Sequence, residues 1–146
     1  MNIFILHKNP VKSAQMLPDK MKFKMLIELA QMVSTLTGSV FKPVKQGKEL
    51  VQWIDEHRIW VKYYMHALIM WCKEHINLKP KTLEKLTKIY YSLENDNNYN
   101  IEYGVFRFKE GYETNYVNNT ILPIDVLCDE YVRYIEDFKG YDIERT

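Results

Sequence analysis

The chain has 146 residues, 47% of them hydrophobic and 14% aromatic, which predicts one folded domain and excludes a disordered or low-complexity chain. The net charge is only +1, yet residues 1–93 hold 15 Lys and Arg against 7 Asp and Glu, whereas residues 94–146 hold 5 against 12. We interpret the chain as a single domain, 1–146, with a basic helical part (1–93) and an acidic part (94–146). This charge asymmetry indicates a surface that faces a polyanion, unless folding mixes the charges of the two parts.

The first 38 residues have the pattern of two helices after an extended segment. Residues 3–6 form an apolar run that predicts a buried extended segment. Asn9 and Pro10 predict the start of a short helix, and Asp19 predicts the cap of a long helix that Gly38 ends. This long helix carries an apolar stripe and, on its flank, a polar stripe at spacings of three and four residues, formed by Lys20, Lys24, Glu28, Gln31 and Thr35.

The apolar centre of the chain is residues 59–72, which form two rows at helical spacing: Trp60, Tyr64, Leu68 and Trp71, and Ile59, Tyr63, Ala67 and Met70. A helix that is apolar over most of its circumference is buried. Lys62 and His66 make it too polar to span a bilayer, which takes ~20 mostly apolar residues. A bend near His57 should separate this helix from a more polar one that begins near Lys48.

The C-terminal third changes from a helical pattern to alternation with period 2. Thr82 predicts the cap of a helix that runs to about residue 93, before this change. Residues 100–108 predict a strand with a bulge at Gly104, residues 109–111 a turn, and residues 112–117 the returning strand of a hairpin. A final helix should follow Pro123 and bury one face, made of Ile124, Leu127, Cys128, Tyr131, Ile135 and Phe138. We therefore expect a mainly α fold, with about five helices around a buried central helix and one β-hairpin.

The common motifs of enzymes and metal sites are missing from the sequence. It has no phosphate-binding glycine loop, no nucleophile-elbow serine and no HExxH motif. Cys72 and His75 are one helical turn apart, but no second pair completes four zinc ligands, so we predict neither a metal nor a cofactor. With Cys72 and Cys128 as the only cysteines, and no signal-peptide pattern, we expect a cytoplasmic protein.

A resemblance to a known family begins at the N-terminus. The stretch Met1-Asn2-Ile3-Phe4 is followed by Pro10-Val11, Ala14, Asp19-Lys20, Lys24-Met25, Glu28, Ala30-Gln31-Met32 and Ser34-Thr35. This text resembles the opening of a family of small tailed-phage proteins that is distantly similar to the phage pyrimidine-dimer DNA glycosylases. The match covers about the first 37 residues. The sequence departs from the family within this stretch, at Pro18 and Met21, where the family usually has an acidic or Cys residue and a basic Arg or His. Farther on, Lys48-Glu49 replaces a His-Pro pair.

The resemblance implies an all-helical enzyme that excises a base and nicks the strand, in the cytoplasm of the host cell. Such chemistry uses an amine that attacks the sugar C1′ and a carboxylate that moves protons. In the dimer glycosylases the amine is the α-amino group of the second residue, but the bulk of Asn2 should here retain Met1. The candidate catalytic residues are therefore the Met1 α-amino group, Lys20 or Lys24 as the amine, and Glu28 or Asp19 as the carboxylate.

Binding to nucleic acid asks only for phosphate contacts, and the candidates are Lys20, Lys22, Lys24, Lys42, Lys45, Lys48 and Arg58. The competing interpretation is a catalytically degenerate scaffold that uses the acidic part and its Tyr-rich hairpin to bind and inhibit a host defence protein. Without the resemblance, the polar stripe is best interpreted as a solvated helix face. Nucleic acid, a host protein and a second copy of the chain remain open as partners, and no membrane is expected.

Overall fold

The computed structural model describes residues 1–38, 41, 44, 47–93 and 99–144. In this part of the chain the elements are, in order, α1 (Pro10–Met16), α2 (Asp19–Thr37), α3 (Lys48–Glu56), α4 (Arg58–His75), α5 (Pro80–Ser92), β1 (Tyr103–Phe106), β2 (Thr120–Pro123) and α6 (Ile124–Arg133). A π-helical turn, Tyr134–Phe138, continues α6. The predicted fold class, mainly helical with a small antiparallel pair in the C-terminal part, is confirmed.

Helix α4 is the centre of the fold, because α1, α2, α3 and α5 all pack against it. Its first row is buried, with Trp60, Tyr64 and Leu68 at 0% exposure, as the apolar pattern predicts. The prediction is wrong for the second row, where Tyr63 and Met70 remain 48% and 40% exposed. The helix therefore packs on one side and presents the other to solvent.

Side chains from the helices hold the N-terminal segment in place. Residues 3–6 are buried as predicted, although they join no sheet. The Tyr64 hydroxyl donates to the Phe4 carbonyl at 2.9 Å, the Leu6 N–H donates to Ser13 Oγ at 2.9 Å, and the Trp60 indole N–H donates to the Lys8 carbonyl at 2.7 Å. These bonds satisfy backbone groups that burial would otherwise leave without partners.

Most helix boundaries agree with the local sequence signals. The Asn9 side chain accepts a hydrogen bond from the Lys12 N–H at 3.1 Å, and α2 ends at Gly38 in a left-handed conformation (φ 72°). The chain breaks between α3 and α4 at His57. Helix α5 starts at Pro80, two residues before the predicted cap, since proline is favoured at the first helical position.

The predicted returning strand, residues 112–117, is wrong. Strand β1 pairs instead with β2, from Tyr103 opposite Pro123 to Phe106 opposite Thr120. Between the strands, the Asn118 side chain forms the two hydrogen bonds to Phe108 that a neighbouring strand would otherwise form. Its Oδ1 accepts from the Phe108 N–H (2.9 Å), and its Nδ2 donates to the Phe108 carbonyl (3.0 Å). A side-chain amide thus ends the pairing early.

The predicted bulge at Gly104 is also wrong, because Gly104 pairs in regular register with Leu122. The glycine is required for another reason. A Cβ on Gly104 would lie 2.3 Å from Leu127 Cδ2 and 3.1 Å from Ile5 Cδ1. Because glycine has no side chain, α6 can approach β1 closely at this position.

The final helix buries Leu127, Tyr131 and Ile135 as predicted, but the pattern shifts after Tyr131. The wider π-helical turn adds a residue, so Tyr134 turns inward at 2% exposure while Phe138 is 41% exposed. None of the described helices combines the length and apolar character that crossing a membrane requires.

Candidate functional site

A cavity of about 300 Å³ lies between the N-terminal segment, α2, the loop after β1 and the segment after the π-helical turn. Helix α2 contributes Lys20, Lys24 and Glu28, and the first residue contributes Met1 with its α-amino group. The spacing of four residues places the three α2 side chains on one helix face, which explains how they reach one cavity. The structure therefore brings together four of the groups that the sequence singles out.

A hydrogen-bond network that runs from the buried Tyr131 hydroxyl to the surface holds Met1 at the cavity. The Asn2 Nδ2 group donates to the Arg107 carbonyl at 2.7 Å, and the Arg107 Nη1 group donates to the Met1 carbonyl at 2.8 Å. The Tyr131 hydroxyl donates to Asn2 Oδ1 at 2.6 Å and to the Val105 carbonyl at 2.6 Å, and it accepts from the Arg107 N–H at 3.1 Å. The start of the chain is thus held by β1 and α6.

Three further cations reach the cavity from the acidic part of the chain: Arg107, Lys109 and Lys139. Tyr134 positions two of them, because its hydroxyl accepts from the Lys109 N–H (3.1 Å) and its carbonyl accepts from the Lys139 N–H (3.1 Å) in the π-helical turn. The Lys139 ammonium lies 5.7 Å from the centre of the Phe4 ring and 5.6 Å from that of Tyr134. Sequence reasoning missed these residues, since they lie in the segment whose net charge is −7.

The surroundings of the cavity lower the pKa of two amines. Burial lowers the pKa of the Met1 α-amino group, and Arg107, Lys24 and Lys109 lower it further, whereas Glu28 raises it. Burial also lowers the pKa of Lys139, with additional lowering by Lys109 and Lys24. A neutral amine has a free lone pair, so these shifts increase the fraction of each group that can act as a nucleophile.

Of the remaining predicted residues, those that the structure describes do not line this cavity. Lys22 is 3% exposed, and its ammonium contacts Asp19 Oδ1 at 2.9 Å, the Gln15 carbonyl at 3.4 Å and the face of Trp71. We therefore correct its predicted role from phosphate contact to packing, and Asp19 is its partner instead of a cavity carboxylate.

Two other basic candidates, Arg58 and Lys48, are also separate from the cavity. Arg58 forms a two-pronged contact with Asp55 Oδ1 (2.8 and 3.0 Å), and Lys48 does not line the cavity. Lys42 and Lys45 lie outside the described residues.

No metal cluster accompanies the site. Within residues 1–38, 47–93 and 99–144, no group of three or more His, Cys, Asp or Glu is arranged to hold a metal ion. The His75 ring stacks on Trp71, and its Nδ1 lies 2.9 Å from the Trp71 carbonyl. This histidine thus has a local helical partner.

A second concavity lies between α3, β1 and the start of β2. This groove of about 460 Å³ is lined by Glu49, Gln52, Trp53, Glu56, Tyr103, Val105, Asn119 and Ile121. Its ionisable groups are the two glutamates and Tyr103, whose hydroxyl donates to Glu56 Oε2 at 2.9 Å. The two concavities therefore differ in charge, one cationic and one acidic.

Comparisons of the chain with protein-family models, curated proteins and solved structures found no match.

Proposed function

We propose that this chain is a phage accessory protein that acts on or binds nucleic acid or nucleotides in the cationic cavity, as a DNA glycosylase with strand-nicking activity does. The observation that supports this proposal is the meeting of Lys20, Lys24, Glu28 and the Met1 α-amino group in one recess. The N-terminal resemblance supports the phage setting and the class of reaction.

The proposed reaction needs one amine and one carboxylate. The amine attacks C1′ of an extruded nucleotide, the bond from C1′ to the base breaks, and the base leaves with the bonding electrons and gains a proton. Glu28 accepts the proton that the attacking nitrogen loses and passes it to the ring oxygen O4′. The bond from C1′ to O4′ then breaks, and the nitrogen lone pair forms the Schiff base. The Met1 α-amino group is the preferred nucleophile because burial lowers its pKa, and Lys20 and Lys24 are the alternatives.

Borohydride trapping on DNA with an abasic site tests this proposal. At ~50 mM salt, where phosphate contacts are strongest, we expect a covalent adduct that peptide mapping assigns to one of the three amines. Glu28→Gln should reduce adduct formation by about 100-fold, as loss of a general base does. Glu74→Gln on the exposed side of α4 is the matched control. Absence of both adduct and nicking would contradict the proposal.

A second candidate, a binder and inhibitor of a host protein, is favoured by a different observation. Val117 is 78% exposed and Ile121 is 64% exposed, and Ile121 borders the acidic groove. Tyr112, by contrast, is 8% exposed and covers the core, so the hairpin does not offer a broad Tyr-rich face. Affinity capture from host lysate with Val117→Asp and Ile121→Asp variants tests this candidate, and unchanged capture by both variants contradicts it.

A further inference from the structure

The cationic cavity contains more positive than negative charge among its described lining residues. Five cationic side chains and the α-amino group line it, and Glu28 is the only carboxylate among the described lining residues. The four ion pairs formed by described residues lie elsewhere, and Glu28 takes part in none of them. In the acidic part, Glu130 binds Arg133 (3.0 Å) and accepts from the Tyr112 hydroxyl (3.2 Å) instead. Like charges held close together repel, and a bound polyanion removes this repulsion.

The cations converge on one recess instead of following a surface. A DNA duplex presents one phosphate charge per ~1.7 Å of its axis, so duplex-binding proteins spread their cations along a face. Two cations that would extend such a face are already engaged, since Lys22 is buried beside Asp19 and Arg58 binds Asp55. A volume of about 300 Å³ is at the small end of the range for small-molecule sites.

Three of the lining cations come from different segments of the chain. Lys24 lies on α2, Lys109 in the loop after β1 and Lys139 directly after the π-helical turn, and all three line the one cavity. Three ammonium groups that line one recess offer adjacent phosphates several charge-assisted contacts.

We infer that the cavity binds a nucleotide carrying two or more adjacent phosphates, with the phosphates among Lys24, Lys109 and Lys139. The inference rests on the proposed function only for the nucleoside part of the ligand. The same group occurs in a free nucleoside triphosphate and at the 5′ end of a triphosphorylated strand. Phe108 and Tyr141, which also line the cavity, offer ring surfaces on which the base can stack.

Isothermal titration calorimetry with pyrophosphate, a nucleoside triphosphate, the monophosphate and the nucleoside tests the inference. We expect the triphosphate and pyrophosphate to bind at least 10-fold more tightly than the monophosphate, because each added phosphate meets unpaired ammonium groups.

Lys109→Gln and Lys139→Gln should each weaken triphosphate binding by about 10-fold, and Lys73→Gln on α4 is the matched control. Lys109 and Lys73 are exposed, so both variants should fold normally. Short strands with and without a 5′-triphosphate distinguish the two sources of the group.

Glu28→Gln separates this inference from the proposed function. The substitution removes a negative charge beside the phosphates, so it should strengthen triphosphate binding while it reduces borohydride trapping by about 100-fold. If neither pyrophosphate nor triphosphate binds while trapping persists, the inference is overturned and the proposed function stands. If triphosphate binds without trapping, the inference stands and the glycosylase chemistry fails. If the Lys109→Gln and Lys139→Gln variants both bind triphosphate as tightly as the unaltered protein, the inference is also overturned.

Discussion

Tyr131 connects the helical core to the candidate site through one hydroxyl group. This hydroxyl is fully buried, and it contacts Asn2 Oδ1, the Val105 carbonyl and the Arg107 N–H. Its single proton serves two acceptors at 2.6 Å, and burial raises the pKa of the phenol, so it stays protonated. Because Asn2 and Arg107 in turn hold Met1, this hydroxyl determines where the α-amino group lies.

Tyr131→Phe removes this hydroxyl and should lower the free energy of unfolding by about 1–3 kcal/mol, since the Arg107 N–H loses its buried partner. Chemical denaturation measures the change. Tyr91→Phe is the control, because Tyr91 is 65% exposed and its loss should stay within about 0.5 kcal/mol. Equal stability of the two variants would show that the network does not hold the N-terminal segment.

The lowered pKa of the Met1 α-amino group predicts a pH dependence of stability. The unfolded chain takes up a proton near pH 8, whereas the folded chain takes it up at lower pH. Between these values the unfolded state binds more protons, so the contribution of this group to stability rises with pH up to about 8 and is lowest below the folded pKa. Denaturation at pH 6 and 8 checks this, and the increase should be smaller in an Nα-acetylated chain, which has no amine to titrate.

Glu28 also affects the pKa of the Met1 α-amino group, which gives a second prediction. The carboxylate raises the pKa of the α-amino group, so Glu28→Gln should lower that pKa below its value in the unaltered protein. An NMR titration of the reductively ¹³C-methylated α-amino group follows the change. An unchanged or higher pKa in the variant would mean that Glu28 lies too far away to act on the amine.

Spacing within one helix is what made part of the site predictable from sequence. Lys20, Lys24 and Glu28 share a face of α2 because four residues make about one turn. The same rule separates Lys22 from them, since two residues turn the side chain to the opposite side, where Trp71 lies. Arg107, Lys109 and Lys139 carry no comparable signal, because only the tertiary fold brings them to α2.

At the scale of elements, caps and apolar periodicity predicted the helices well, and the strands only in part. Strand β1 was predictable from alternation, but its partner strand was not. After β1, the Asn118 side chain forms both hydrogen bonds to the backbone of Phe108. The loop between β1 and β2 also depends on two tyrosine hydroxyls, those of Tyr131 and Tyr134, which accept from the backbone of Arg107 and Lys109. Such long-range partners leave no local pattern in the sequence.

The close contact between β1 and α6 gives a prediction for Gly104. Gly104→Ala should destabilise the protein by about 1–3 kcal/mol, because its Cβ meets the fully buried Leu127 side chain at 2.3 Å. Leu127→Ala opens space at this point, so the double variant should lose less stability than the two single variants together. A double-variant cycle by chemical denaturation measures the coupling. Strictly additive losses would mean that the helix does not limit the residue at position 104.

At the scale of the whole molecule, the net charge of +1 conceals the cationic cavity. Folding does bring residues of the basic and acidic parts of the chain together at one place. The acidic part contributes three cations to the cavity. Composition predicted a basic region, but the arrangement of the cations depends on how the C-terminal segment returns to α2.

Binding of nucleic acid by the cavity should depend strongly on salt. Each phosphate contact releases counterions, so the logarithm of the binding constant should fall linearly with the logarithm of the salt concentration. Lys20→Gln should reduce the steepness of this line by about 1 if Lys20 contacts a phosphate. Fluorescence anisotropy measures the slope, and Lys73→Gln should leave it unchanged. An identical slope for both variants would exclude Lys20 from the contact.

The hydrogen bond between Tyr131 and Asn2 joins residues 129 positions apart, which affects when the cavity forms. A growing chain emerges from the ribosome N-terminus first, so α1 to α5 are available before Arg107, Lys109 and Lys139 have been made. Until then, the residues that line the cavity opposite Met1 and α2 have not been made. Contacts between such distant residues also slow folding. A nascent chain therefore contains the residues of α1 to α5 before it contains the residues that complete the recess.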